Sequence, residues 1–259
     1  MSDKTQIHTA MTIAGSDSGG GAGLQADIKT FAANGVYGST VITAVTAQNT
    51  LGVHQVMDLP VEIIEAQIAA NLTDIGADAV KTGMLSSPEI IECVAKNLVK
   101  YKNENLIVDP VMVAKGGTSL ISESAIEILK ETLIPMSIIV TPNAPEAGIL
   151  TGVEVVDLDS AREAAVRLVN MGARSAVVKG GHLDDGPATD VFYDGQEFRT
   201  FTTRRIDTEN THGTGCTFAS AIAAGVAKGE SLRDAVSNAK VYVTGAIKSD
   251  FDIGSGHGP

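Results

Sequence analysis

Tryptophan is missing from this 259-residue chain, and aromatic residues make up only 4% of it. A core of this size cannot be built on large rings. It must come from Val, Ile, Leu and Ala, the residues that suit parallel strands covered by helices. Cysteine is scarce too: Cys93 and Cys216 are the only two. They are too few and too far apart for a disulfide framework or a zinc cluster, and they fit a reducing, cytoplasmic setting. Positive charge is in deficit, with 19 Lys plus Arg against 31 Asp plus Glu and a formal net charge of −12. No long basic run breaks this balance, which argues against nucleic acid or an anionic membrane as a partner. Any phosphate bound here must be held locally, by backbone N–H groups, a few lysines and a metal ion. No apolar window reaches the length of a membrane span, and the N-terminal MSDKTQIHTAMTIAG lacks the apolar core of a secretory signal.

What the chain does have is 44% hydrophobic and 19% charged residues, ample for a buried core. Runs rich in small and β-branched residues at Met11–Ala14, Tyr37–Ala47, Ala79–Thr82, Leu106–Val108, Ser137–Thr141 and Ala176–Lys179 read as strands. Helical patterns between them start near Leu24, Val61, Pro88, Ser122 and Asp157, and that from Ser122 runs through Ile128 and Leu133. Val53–Leu59 reads as a strand of a small flanking piece. Asp190–Tyr193 and Glu197–Thr203 flank Asp194-Gly195 as a hairpin, and two helices follow, from Gly213 and from Ser231. Strand–helix alternation from end to end predicts an α/β fold: a mostly parallel sheet with helices on both faces, in three layers. With no composition break and no fixed-period repeat, residues 1–259 read as a single domain.

Ligands of open α/β sheets bind beyond the carboxyl ends of the strands. The first strand runs into a loop, Gly15–Gly23, with five glycines in nine residues. Later strands end at Gln48-Asn49, Lys81-Thr82-Gly83, Asp109, Asn143 with Glu146, and Lys179-Gly180-Gly181. The stretch Asn210–Ala219, NTHGTGCTFA, opens a helix with Gly213, Thr214, Gly215 and Cys216. A glycine turn at a helix start offers free N–H groups and the positive end of the helix dipole, a site for phosphate. This rim of Gly, Gln, Asp, Asn, Glu and Lys fits a phosphate-handling enzyme. Two common phosphate signatures are nevertheless missing. Nothing matches G-x-x-x-x-G-K-[ST], and G-x-G-x-x-G fails because Leu24 or Ala26 stands where the third glycine is required. A P-loop NTPase and a Rossmann dehydrogenase are thereby disfavoured.

Eight segments, taken in order, resemble the ribokinase superfamily and, within it, the hydroxymethylpyrimidine and phosphomethylpyrimidine kinases of thiamine synthesis. They are TIAGSDSGGGAGLQADIKTF (Thr12–Phe31), VITAVTAQNT (Val41–Thr50), KTGML (Lys81–Leu85), DPVMVAKGG (Asp109–Gly117), TPNAPEA (Thr141–Ala147), VKGGH (Val178–His182), NTHGTGCT (Asn210–Thr217) and GHGP (Gly256–Pro259). The resemblance covers almost the whole chain. It implies a ribokinase-like fold and transfer of a phosphoryl group from ATP, with Mg²⁺, to 4-amino-5-hydroxymethyl-2-methylpyrimidine and then to its monophosphate. It would put Gly213, Thr214, Gly215 and Cys216 at the transferring phosphoryl group, and Asp109 and Glu146 on Mg²⁺, directly or through water. Lys179, Gly180, Gly181, Asn143 and Thr214 fall on the ATP side, where the two glycines would let the nucleotide approach the backbone. Gln48, Asp27, Gly15, Met84 and Val111 fall around the pyrimidine. Gln48 can both donate and accept, which matches a ring nitrogen beside an exocyclic amine. Met84 and Val111 would flank the flat ring, and ordinary core packing is an equally good account of them. The resemblance also implies a homodimer, with Val53–Leu59 near the contact.

Many sugar kinases of the superfamily carry Asp where this chain has Cys216, as general base for the attacked hydroxyl; Cys matches the pyrimidine branch. A helix N-terminus lowers a thiol's pKa, so one expectation is a partly ionised Cys216 acting as base. The other is that the metal and the anion turn suffice. Cys93 reads as packing, His212 as a supporting or lid residue, and His182 as a loop residue near the nucleotide. Asp184–Thr189 and Lys115–Ser119 are candidate lids. A pyridoxal kinase of the same superfamily is the nearest rival; Gln48 favours the aminopyrimidine, and Ala114 offers no thiol to capture an aldehyde. A non-catalytic nucleotide-binding protein conflicts with the intact set of Asp109, Asn143, Glu146, Lys179 and Cys216. A sugar kinase conflicts with Cys216.

Overall fold

A computed structural model describes residues 7–113, 120–182, 186–250 and 252–259. Its elements run β1 (Thr9–Asp17), α1 (Gly23–Ala33), β2 (Tyr37–Asn49), β3 (Gly52–Asp58), α2 (Val61–Ala70), β4 (Ala79–Thr82), α3 (Pro88–Lys100), β5 (Leu106–Val108), α4 (Glu123–Glu131), α5 (Leu133–Met136), β6 (Ile139–Val140), α6 (Ala144–Thr151), α7 (Leu158–Asn170), β7 (Ala176–Val178), β8 (Ala188–Tyr193), β9 (Phe198–Thr203), α8 (Thr214–Ala227) and α9 (Leu232–Lys248). A π-helical turn, Asn71–Ile75, extends α2, and a 3₁₀ turn, Gly180–His182, follows β7. Among the described residues the strands form one nine-stranded sheet, ordered β3-β2-β1-β4-β5-β6-β7-β8-β9. The strands from β2 to β7 are parallel, and β3, β8 and β9 are antiparallel additions at the edges.

The three layers follow from the pleat. Consecutive residues of a strand point to opposite faces, so each strand feeds two cores. Val80, Leu106, Val108, Val140 and Val178 pack with Ile64, Ile91, Leu129, Ile134, Leu150 and Leu168, which belong to α2 through α7. Ala79, Ile107, Ile139 and Val177 face the other way, onto Phe31 of α1, Phe218 and Ile222 of α8, and Val236 of α9. Each large aliphatic side chain buried this way contributes about 1.5–3 kcal/mol. The strand order reverses between β1 and β4, and the crevice at their carboxyl ends is where open α/β sheets hold ligands. No helix among the described residues is long and apolar enough to cross a membrane.

Three elements differ from the sequence expectation. β1 does not stop at Ala14: after a register shift between Ala14 and Ser16 it pairs Ser16 with Val45 and Asp17 with Thr46. The bulge carries the glycine loop onto the end of the sheet. The helix expected from Ser122 through Leu133 ends at Glu131, and α5 is separate. Pro135 has no N–H and its ring opposes the carbonyl four residues back, which breaks continuity there. Helix α6 was not expected. The N-x-x-E pattern is also a capping box, in which Asn143 Oδ1 accepts from Glu146 N at 2.9 Å and Glu146 Oε2 from Asn143 N at 2.8 Å. Ala114, the candidate lid Lys115–Ser119, and Asp184 and Asp185 of the other candidate lid lie outside the described residues.

Candidate active site

A charged residue inside a short apolar strand sets up the site. Lys81 belongs to β4, and its side chain is fully buried. Its Nζ lies 3.0 Å from both carboxylate oxygens of Asp27 and 3.8 Å from Asp109 Oδ2. Asp27 also accepts from Thr12 Oγ1 and from Ser220 Oγ, each at 2.6 Å. Burial opposes the Lys81 charge, yet Asp27 above all, with Cys216 and Asp109, holds the ammonium above the ordinary lysine range. Asp27 is fully buried and its oxygens are taken up inside the protein, so it is an internal post joining α1, β4 and α8.

Asp109 continues the chain of charges. Its Oδ1 accepts from Lys179 Nζ at 3.2 Å and from Thr141 Oγ1 at 3.3 Å. Its Oδ2 is buried with no hydrogen-bond partner among the described residues. Lys179 interacts in turn with Glu146, which is buried at the start of α6. Burial pushes the Glu146 carboxyl up, with Lys179 opposing and Asp109 adding to the rise. Lys179 remains cationic because Asp109 and Glu146 outweigh the effect of burial. Asp27, Lys81, Asp109, Lys179 and Glu146 thus alternate in sign, carried by α1, β4, the residues just after β5 and β7, and α6.

The turn before α8 meets this chain. Gly213 has φ +79, and a Cβ there would stand 1.8 Å from Gly21 O, so only glycine lets this turn lie on the glycine loop. The N–H groups of Gly215 and Cys216 open the helix and have no partner within it. Lys179 Nζ lies 3.2 Å from where a Cβ on Gly215 would be, and the Thr214 hydroxyl donates to Thr211 O at 3.0 Å. Cys216 is buried, which pushes its thiol up to about 11; Asp109 and Asp27 add to the rise, and Lys81 and the Gly23 N–H only partly offset it. The direction is opposite to the lowering expected at a helix start: burial above all, with two nearby carboxylates, outweighs Lys81 and the Gly23 N–H.

Opposite the turn stand the residues expected around a substrate. Met84 Sδ packs on Gly15, 3.2 Å from where a Cβ would be, and half-buried Val111 donates its N–H to Asp109 O at 2.8 Å. Gln48 is half-buried at the end of β2, its side chain between Thr46 and His212. Asp17 accepts from the N–H groups of Gly19, Gly21 and Ala22 at 2.8, 3.1 and 2.8 Å, and its Oδ2 lies 2.9 Å from His212 Nε2. His212 N donates to Gly258 O at 3.0 Å, and Gly258 N to Asn210 Oδ1 at 3.1 Å, which straps GHGP beside the turn.

A family model described as phosphomethylpyrimidine kinase matches residues 17–259. The chain belongs to the phosphomethylpyrimidine kinase family. It is 52% identical over 254 residues to the hydroxymethylpyrimidine/phosphomethylpyrimidine kinase of Bacillus subtilis, covering 98% of this chain and 94% of that protein. It is also 52% identical over 251 residues to the bifunctional thiamine biosynthesis protein ThiED of Geobacter sulfurreducens, covering 97% of this chain and 51% of that protein. The chain therefore spans about half the length of that relative. Among solved structures, the ADP complex of Bacillus subtilis pyridoxal kinase superposes with a TM-score of 0.92 at 41% identity, covering 98% of this chain and 97% of that one. The expected three-layer, ribokinase-like α/β fold is the observed one.

On the side where the resemblance to this kinase family implies a nucleotide, the residues divide. Asn143 is the N-cap of α6. Gly180 is buried, and a Cβ there would stand 1.9 Å from Thr189 O while its N–H donates to Asp190 Oδ1 at 3.0 Å. Packing against β8 explains that glycine, a correction to the expectation of open backbone. Gly181 is exposed with nothing near its Cβ position, and its carbonyl accepts from Arg205 Nη1 at 2.8 Å. A cavity of about 560 Å³ lined by Gly186, Pro187 and 202–205 opens beside it. Sequence reasoning placed Lys81 among the strand ends and Asp17 in the glycine loop but gave neither a role. For Lys81 the signal was a charge inside the otherwise uncharged strand AVKT. For Asp17 it was an acidic residue just before three consecutive glycines, where backbone N–H groups converge.

Proposed function

We propose that this chain transfers a phosphoryl group from ATP to 4-amino-5-hydroxymethyl-2-methylpyrimidine and then to its monophosphate, making the pyrimidine diphosphate for thiamine. The observation that carries the reading is the meeting of the Gly213–Cys216 turn with Lys179 and with Asp109, whose buried Oδ2 accepts no hydrogen bond among the described residues. The N–H groups of Gly215 and Cys216 would receive the transferring phosphoryl group, with Lys179 beside it. Such transfer needs positioning and charge stabilisation more than covalent help. A Cys216 thiol held at about 11 is a poor resting base at neutral pH, so the reading does not rest on a thiolate.

The residues fit Mg²⁺. Asp109 keeps a buried carboxylate oxygen that accepts no hydrogen bond among the described residues, and burial pushes the Glu146 carboxyl up; a cation between them would favour both charges, and hard oxygen donors suit this one. Mg²⁺ usually keeps several waters and takes substrate phosphates as ligands, so it needs only one or two carboxylates from the protein. Asp109 and Glu146 would hold it, and when bound it neutralises charge on the phosphates. Asn143, Thr214 and Gly181 would line the nucleotide side. Gln48, Gly15, Met84 and Val111 would surround the pyrimidine, with Asp27 holding the frame from inside.

The reading takes residues 1–259 as one kinase domain working in the cytoplasm as a homodimer. Val45 and Met57, opposite each other on one face of β2 and β3 and both open to solvent, support that dimer. The likeness to the pyridoxal kinase structure supports a second substrate reading, pyridoxal. Consumption of ATP by the purified chain tests the proposal: it should require both Mg²⁺ and the hydroxymethylpyrimidine. Turnover that ignores either one would sink it.

A further inference from the structure

Asp17 and His212 take no part in the phosphoryl-transfer reading, yet they stand where the glycine loop, the anion turn and Gln48 meet. His212 Nε2 is 2.9 Å from Asp17 Oδ2 and 3.3 Å from Gln48 Nε2. Burial would raise the Asp17 carboxyl, but His212 and the glycine-loop N–H groups hold it below its usual range. An ionised carboxylate only accepts, so the proton between the two sits on Nε2. A protonated Nε2 has no lone pair for an amide N–H. Its single N–H is directed at Asp17 Oδ2, so Gln48 can face it only with the carbonyl oxygen, which shares that hydrogen as a second acceptor.

The other end of the amide leads to the same conclusion. Thr46 Oγ1 lies 3.0 Å from Ser16 O and 3.0 Å from Gln48 Oε1. The hydroxyl has one hydrogen and Ser16 O can only accept, so Thr46 donates to Ser16 and accepts from Gln48. Both neighbours require the NH₂ toward Thr46 and the carbonyl toward His212, a half turn about the terminal bond of the side chain. The main chain of Gln48 is fixed meanwhile, because Ser18 Oγ donates to Gln48 O and accepts from Gln48 N, each at 2.8 Å.

We infer that Asp17 and His212 are a positioning pair that fixes the direction of the Gln48 amide and so selects the ring edge the pocket accepts. The inference rests on the reading of Gln48 as the amide that meets the substrate. One N–H and one lone pair of the amide remain for a ligand, in fixed order. A ring nitrogen beside an exocyclic amine complements that order in a single orientation, and that orientation decides where the hydroxymethyl group lies. A ring without the amine, such as pyridoxal, gains less from it.

A double-mutant cycle of His212→Phe and Gln48→Ala tests the pair, with KM read separately for the pyrimidine and for ATP. Each single substitution should raise the pyrimidine KM about tenfold and leave the KM for ATP unmoved. The double variant should be no worse than Gln48→Ala alone. His212→Gln keeps an N–H for Asp17 and should recover most of the loss. A wild-type pyrimidine KM in Gln48→Ala would overturn the pocket reading itself. If Gln48→Ala raises it while His212→Phe does not, or the two effects multiply, or His212→Phe raises both KM values alike, the positioning pair fails and the pocket reading stands. Should His212→Phe not fold, Thr46→Val removes the acceptor at the other end of the amide and carries the cycle with the same expectations.

Discussion

Cys216 shows how far a single residue's chemistry depends on its surroundings. Its place at a helix start was legible in NTHGTGC, and that place alone favours a thiolate. Asp109 follows β5 and Asp27 belongs to α1, and no local pattern announces that they converge on the sulfur. The folded thiol is raised from 9.0 to about 11. A raised pKa contributes stability that is complete below the unfolded value and lost as pH rises through the folded one. We therefore expect urea stability to fall between pH 9 and 11, by on the order of 2 kcal/mol from this group. Cys216→Ala should lose that part of the pH dependence, keep its circular dichroism spectrum and turn over slowly. Wild-type turnover in that variant would remove the sulfur from the reaction altogether. Lys81 makes a second test. Lys81→Met leaves buried Asp27 unpaired, and chemical denaturation should show a loss of about 3–5 kcal/mol. A loss below about 1 kcal/mol, the value of an exposed pair, would contradict the buried charge chain.

At the scale of elements, the order of strands and helices was legible because their periods differ and their starts are explicit, as at Pro88, Ser122, Asp157 and Ser231. What escaped was α6, whose cap shares its residues with the site. Asn143 and Glu146 read as ligands because N-x-x-E serves both purposes. Asn143→Ala should therefore do two things: cost about 1 kcal/mol in urea unfolding, and raise the Mg²⁺ concentration needed for half-maximal turnover, because Glu146 loses its anchor. An unchanged Mg²⁺ response would separate the cap from the metal. The glycine turn is stricter. In Gly213→Ala a Cβ would stand 1.8 Å from Gly21 O, so the turn must leave the loop and turnover should be abolished, whatever the stability.

Across the whole molecule, the reversal of strand order at β1 and β4 gathers strand ends from β1, β2, β4, β5 and β7 at one mouth, and α8 closes it. The list of strand-end residues could be read from sequence, but their division into an internal frame and an open rim could not. Asp27 and Gly180 went to the inside because burial depends on neighbours far along the chain. At the edge, the exposed apolar side of β2 and β3 should pair two copies. Sedimentation equilibrium should then give twice 26.7 kDa, and Met57→Lys should shift it toward the single mass. A wild-type monomer at micromolar concentration would contradict the pairing. The central claim concerns which ring receives phosphate. Equal amounts of hydroxymethylpyrimidine and pyridoxal, offered together with limiting Mg²⁺-ATP and followed by mass spectrometry, test it most directly. The account predicts that the pyrimidine monophosphate appears first and is converted to the diphosphate while pyridoxal is largely spared. Pyridoxal phosphate forming faster than the pyrimidine monophosphate would contradict it.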